Sequence, residues 1–168
     1  MPRVHVAPLS RIEEVTLATG ARDLVTLINV GTPVARPPAI ERHLFIGMSD
    51  ILEARDGHVA PGEDHVAQLL SFVRAWDRRA PVIIHCWAGV SRSTAAAFVS
   101  VCALNPARDE QDVARALRNA SPTATPNLRF VTIADGLLGR GGRMRAAIEG
   151  IGRGEDCFEG EPFALEIA

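Results

Sequence analysis

Cys86 and Arg92 are the two side chains of this 168-residue chain whose types and spacing suit covalent chemistry on an oxyanion. Both lie in His85-Cys86-Trp87-Ala88-Gly89-Val90-Ser91-Arg92-Ser93. Ahead of this string, Pro81-Val82-Ile83-Ile84 is a short, β-branched apolar run that reads as a strand buried on both faces. Behind it, the Ala-rich run from Ser93 to Val99 reads as a helix. Cys86 is therefore expected where a strand ends, and Arg92 where a helix begins. The first N–H groups of a helix have no intrahelical partners and carry the positive end of its dipole, so an anion is their natural occupant. Gly89 lets the chain curl, turning the amides of Trp87, Ala88, Gly89, Val90, Ser91 and Arg92 inward as a phosphate nest. Arg92 adds a planar fork for two oxygens, and the same field favours Cys86 as a thiolate. A phosphate-shaped cup with a nucleophile at its floor implies phosphoryl transfer to sulfur.

This string resembles the HCxxGxxR[ST] signature of the cysteine-dependent protein tyrosine phosphatase superfamily, and its Gly-x-Ser-Arg-Ser ending is most similar to the dual-specificity branch. The resemblance implies that Cys86 attacks phosphorus, that Arg92 binds the phosphoryl oxygens, and that the Ser93 hydroxyl helps the thiolate leave. Rhodanese-like and arsenate-reductase-like proteins also pair a Cys loop with an Arg, which leaves a different oxyanion open. His85, lying on the strand, is expected to hydrogen-bond loop backbone and stiffen it rather than to act as an acid. Trp87 either stacks on an aromatic substrate or packs beneath the loop.

Length and an apolar content of 47% suit one phosphatase-like domain over 1–168, with 139–168 an extension of unknown role. A net charge of −2 gives no reason to expect nucleic acid as a partner. All 18 basic residues are arginine, so single arginines carry little weight. Three cysteines, no secretory leader pattern and no long apolar run point to a soluble, cytoplasmic protein without a membrane segment.

The elements that must position the loop follow in order. Val4–Pro8 alternates like an opening edge strand that can tolerate Pro8. Ser10 with Glu13 reads as a capping box starting a helix that runs to about Ala18 and stops at Gly20. Asp23–Val30 is apolar enough for the middle of a sheet. The proline-interrupted stretch 31–38 is irregular, and is expected to be solvent-exposed linkage rather than part of the site mouth. His43–Met48 is the next strand, with Ser49-Asp50 at its C-terminal end. Ligands of open α/β sheets bind at such ends, so Asp50 is expected to face Cys86. Family members carry a general-acid Asp on a loop upstream of the nucleophile, and the resemblance assigns that role to Asp50. Asp56 is the rival, although Asp56-Gly57 reads as a turn.

Val66, Leu69, Leu70, Val73 and Trp76 recur at helical spacing and read as core. His58 and His65 lack a convergent ligand set, so no metal or other cofactor is expected. Cys102 is read as a packing residue, too far along its helix to bridge Cys86. Asp109 and Asp112 start another helix. After the rigid 121–127 turn, Asn127 opens a last family-like helix; it either braces the phosphate loop or serves only as a helix start. Arg140, Arg143, Arg145 and Arg153 are expected to be scattered and solvated rather than a basic patch near the site. Phe158, Phe163, Leu165 and Ile167 dock on the body or on another subunit.

The fold class expected is a single α/β domain with a mostly parallel sheet of four or five strands flanked by helices, dual-specificity-phosphatase-like. The function expected is a phosphomonoesterase working through a cysteinyl-phosphate. The loop holds no cation between Cys86 and Arg92, whereas inositide-acting members often carry Lys there. That favours a phosphorylated protein, on tyrosine or serine/threonine. A small phosphorylated molecule (an inositol phosphate, phosphoinositide or nucleotide) is the alternative, and an idle phosphate-binding module is the alternative from another class. Oligomeric state is left open.

Overall fold

The computed structural model describes residues 2–168. Five strands form one sheet in the order β3-β2-β4-β1-β5: β1 (Arg3–Pro8), β2 (Asp23–Ile28), β3 (Arg42–Gly47), β4 (Val82–Cys86) and β5 (Phe163–Glu166). The first four are mutually parallel, and β5 joins β1 antiparallel. Six helices cover the sheet: α1 (Ile12–Thr19), α2 (Glu63–Arg74), α3 (Arg92–Leu104), α4 (Glu110–Ala120), α5 (Leu128–Leu137) and α6 (Arg143–Ile151).

Burial explains the order of the strands. Every residue of β2 and β4 is buried, as continuous apolar runs require when helices cover both faces. One face packs the larger core, with Val25, Ile84, Phe98 and Phe130 among its members. The other packs Ile12 and Val15 of α1 against Leu24 and Ile83. In α3, every residue from Arg92 to Cys102 is buried, and its alanines and small side chains let the helix lie close to the sheet.

Four expectations need correction. β1 is not an edge strand, because β5 pairs outside it, matching Val4 to Leu165 and Val6 to Phe163. Pro8 is tolerated as the last residue of the strand. The Ser10 capping box does not form: the Ser10 hydroxyl donates to Glu159 Oε2 at 3.0 Å, and α1 starts at Ile12 without a side-chain cap. β2 ends at Ile28, releasing Asn29 from the ladder. The arginines of the C-terminal stretch are neither a patch nor uniformly solvated. Arg140 is buried and donates to Glu110 Oε1 at 2.8 Å and to the Cys102 carbonyl at 2.8 Å, pinning the start of the last segment to α3 and α4. Arg143 also reaches Glu110, while exposed Arg145 and Arg153 pair with Glu149 and Asp156.

The last thirty residues are therefore built into the body through α6 and β5. Leu165 and Ile167 dock in the main core, Phe163 packs against it, and Phe158 stays exposed. Other helix starts follow the sequence. Asp109 caps α4 by accepting from the Gln111 amide, and Asn127 caps α5 by accepting from the Phe130 amide.

Removing one partner of a buried ion pair strands the other charge at a cost of about 3–5 kcal/mol, of which exposed Arg143 recovers part. Arg140→Ala is therefore expected to lower stability by about 2–4 kcal/mol, read as a lower urea midpoint. An unchanged midpoint would show that the Glu110 pair does not hold α6 in place.

Candidate active site

Cys86 closes β4 and Arg92 opens α3, so the strand–loop–helix junction falls where the sequence puts it. What shapes the loop between them is the fate of its carbonyls. The Cys86 carbonyl accepts from His85 Nδ1 at 2.9 Å, and that of Trp87 from the Leu9 amide at 3.0 Å. The carbonyl of Ala88 accepts from the Gly160 amide at 2.8 Å, that of Val90 from Thr125 at 2.9 Å, and that of Ser91 from Asn127 at 3.2 Å. These anchors come from widely separated parts of the chain, and each draws a carbonyl outward. Among the described residues, the amides of Ala88, Val90, Ser91 and Arg92 have no protein partner, as an anion nest requires. Gly89 makes the curl possible. Its φ is +69°, and a Cβ there would sit 2.9 Å from the Pro8 nitrogen and 3.0 Å from the Ala7 carbonyl carbon.

The sulfur of Cys86 receives the Gly89 amide at 3.3 Å and lies 3.0 Å from the Ser93 hydroxyl. The residue is only 2% exposed, yet it lines a cavity of about 570 Å³ with Asn29, Thr32, Asp50, Trp87, Arg92 and Cys157. Arg92 is also nearly buried. Its Nη1 donates to Asn29 Oδ1 at 2.6 Å and to the Met48 carbonyl at 2.9 Å, and its Nε is buried without a partner. Among the described residues, no carboxylate lies within ion-pair distance of it. The guanidinium is thus held in place by neutral dipoles, with an N–H to spare.

Asp50 borders the same cavity, as its place after β3 implied. Its Oδ1 accepts from Ser91 Oγ at 2.7 Å and from Asn127 Nδ2 at 2.8 Å, whereas Oδ2 has no partner among the described residues. Asp56 is an exposed turn residue and lines neither this cavity nor its neighbour. Asn127 serves both alternatives read for it: it caps α5, and its backbone amide and side chain tie the loop to Asp50. Trp87 stands half exposed on the cavity wall, which excludes packing beneath the loop. Thr32 brings the 31–38 stretch to the mouth, against its expected role as mere linkage.

Several participants are missed by the sequence reading. The sequence pattern puts Asn29 inside a strand, and only the early end of β2 frees it for Arg92. Cys157 reaches the cavity because Gly160 docks on Ala88. Behind the loop runs a buried polar chain. His85 Nδ1 must carry hydrogen to bond a carbonyl, so Nε2 accepts from Thr26 Oγ1 at 2.7 Å, and that oxygen accepts from His43 Nε2 at 2.7 Å. Parallel pairing of β2 with β4 sets Thr26 opposite His85. Burial pushes the His85 imidazole down to about 4, the ring's bond to the Cys86 carbonyl opposing the shift, so the ring is neutral at pH 7. Cys102 is a packing residue whose thiol burial pushes up to about 12. All three cysteines are free. His58 lies 3.4 Å from the Ser49 hydroxyl, and His65 accepts from the Gly62 amide. No helix among the described residues is long and apolar enough to cross a membrane.

Comparison with known proteins gives one matched segment and a shared fold. The protein-tyrosine phosphatase family model matches residues 55–124, a span that contains the loop. No curated protein matches the chain. Among solved structures, DUSP15 aligns at 18% identity with a TM-score of 0.65, covering 89% of this chain and 92% of that one. A mouse putative dual specificity phosphatase aligns at 17% identity and TM-score 0.63, covering 86% of each chain. Human DUSP28 aligns at 16% identity and TM-score 0.62, covering 82% and 94%. Residues 55–124 thus match the protein-tyrosine phosphatase model, and the chain shares the fold of the dual specificity phosphatases it aligns with. The matched segment includes residues 85–93, the string that carries the family resemblance.

The buried neutral His85 links the site to acid stability. Its folded value, about 4, lies below the unfolded 6.5, so below pH 6.5 the unfolded chain binds the extra proton. Stability is therefore expected to fall progressively from about pH 6.5 to pH 4, by on the order of 3 kcal/mol from this group. Melting temperatures recorded from pH 7.5 to 4.5 should drop more steeply for the native protein than for His85→Gln, and parallel curves would contradict the assignment.

Proposed function

We propose that the protein is a metal-independent phosphomonoesterase acting on a singly phosphorylated protein, through a cysteinyl-phosphate intermediate. The observation that carries this reading is the cup: unpartnered loop amides beside one cavity lined by both Cys86 and Arg92, whose guanidinium faces no carboxylate among the described residues.

In this reading a phosphoryl group enters the cup with its oxygens on the loop amides and the Arg92 fork. The Cys86 thiolate attacks phosphorus, a sulfur–phosphorus bond forms, and the phosphorus–oxygen ester bond breaks with its electron pair passing to the leaving oxygen. Asp50 supplies the proton. Because Oδ1 already accepts two hydrogen bonds, the proton rides on Oδ2. In the second step a water attacks phosphorus and gives its proton to Asp50, while the thiolate departs. The Ser93 hydroxyl, 3.0 Å from the sulfur, donates to the departing thiolate. The chain through His43, Thr26 and His85 holds the Cys86 carbonyl and stiffens the loop from behind.

The charges of the cup favour one phosphate. Trp87, Ala88, Gly89, Val90 and Ser91 bring no cation, so a second phosphate finds no partner among them. The soluble, cytoplasmic setting expected from the sequence suits such a substrate.

Cys86→Ser is expected to lose at least about a thousandfold in turnover of p-nitrophenyl phosphate, because the hydroxyl is a far weaker nucleophile here. It should still bind vanadate or phosphate in calorimetry, and retained turnover would end the nucleophile assignment. Asp50→Asn is expected to slow alkyl phosphates by about a hundredfold, and phosphates of acidic phenols far less. Equal loss on both would move the acid role away from Asp50.

A further inference from the structure

A second cavity of about 530 Å³ adjoins the cup and shares Asp50 and Ser91 with it. Its remaining wall comes from Leu52, Pro126, Leu128 and Ile148 with the end of α6. Most of its polar groups are already engaged within the protein. Glu149 and Arg153 are each in an ion pair, with Arg145 and Asp156. Thr125 Oγ1 donates to Thr123 and accepts from Gly154, while the Asn127 side chain holds Phe130, Asp50 and Ile51. Apart from Asp50 Oδ2 on the shared ridge and the exposed Arg153, what the cavity has left to offer a ligand is mainly apolar surface.

Its position relative to Asp50 decides what that ligand is. The acid must face the leaving oxygen, so the body of the substrate departs from the cup on the Asp50 side, toward this cavity. The ridge between the two is polar, made of Asp50 and the Ser91 hydroxyl. An alkyl chain lying across it would cover the unpartnered Asp50 Oδ2 without hydrogen-bonding it, which is costly, whereas a peptide main chain can cross with its own donors and acceptors.

Resting on the phosphatase reading above, we infer that this cavity is a specificity subsite for a phosphoprotein segment, taking a large apolar side chain next to the phosphorylated residue. Leu52 and Ile148 determine the preference, and α6 is thereby part of substrate recognition.

The test measures binding of fluorescent phosphotyrosine hexapeptides to the full chain carrying Cys86→Ser. Peptides with Leu on both sides of the phosphotyrosine are expected to bind about tenfold tighter than those with Asp. Adding Leu52→Asp, at a side chain 58% exposed and so tolerant of change, should bring that ratio close to one, and Ile148→Ala should lower it. Equal affinity for both peptides, or a preference untouched by either change, overturns the subsite. Tighter binding of dodecyl phosphate than of the Leu peptide overturns the peptide assignment in favour of an alkyl chain. Either result leaves the phosphatase reading intact if the unmodified protein hydrolyses p-nitrophenyl phosphate. Absence of both that hydrolysis and any phosphopeptide binding removes the phosphatase reading and the subsite together.

Discussion

The site depends on a constraint of peptide geometry: a short loop can present its amides on one side only if its carbonyls are satisfied on the other. Here five carbonyls between Cys86 and Ser91 are taken by His85, Leu9, Gly160, Thr125 and Asn127. The Thr94 hydroxyl adds bonds to two of them, Val90 and Ser91. β1, β4, the turn before α5 and the approach to β5 therefore all contribute to one loop. The parallel sheet makes this possible, because it brings the end of β1 beside the end of β4 at Pro8 and Cys86.

Arg92 obeys a related rule with charge in place of dipoles. A nearly buried cation normally sits against a carboxylate. This one is placed by an amide oxygen and a backbone carbonyl instead, which fix its direction without neutralising it. A carboxylate at that point would compete with an incoming oxyanion for the guanidinium; Asn29 orients it and leaves its charge available. The nearby carboxylate, Asp50, is bound by Ser91 and Asn127 rather than by Arg92.

How much of this the sequence reveals depends on the range of each contact. The strand–loop–helix junction is local, and the string from His85 to Ser93 announces it. Asp50 is legible because it follows an apolar strand in a fold that gathers strand ends around the ligand. Asn29, Thr26 and His43 leave no local signal, since their value comes from side-chain contacts with residues far along the chain, Arg92 for Asn29 and the His85–Thr26–His43 series for the others. The Ser10 motif fails for a comparable reason: Glu159, 149 residues away, takes the hydroxyl. Phe163–Glu166 is too short to declare its partner, and only the pairing with β1 shows that the first strand is interior. Arg140 reads as a surface charge because nothing nearby marks Glu110 as its counter-ion.

The bond from Gly160 to the Ala88 carbonyl sets an order of events when the chain is made. A ribosome delivers the whole signature string long before it delivers the amide that restrains one of its carbonyls. A nascent chain thus carries every reactive group while its anion pocket is still open on one side. The loop is fully restrained only once Gly160 has emerged, so a message truncated before that residue yields a product that keeps the motif and lacks the finished cup.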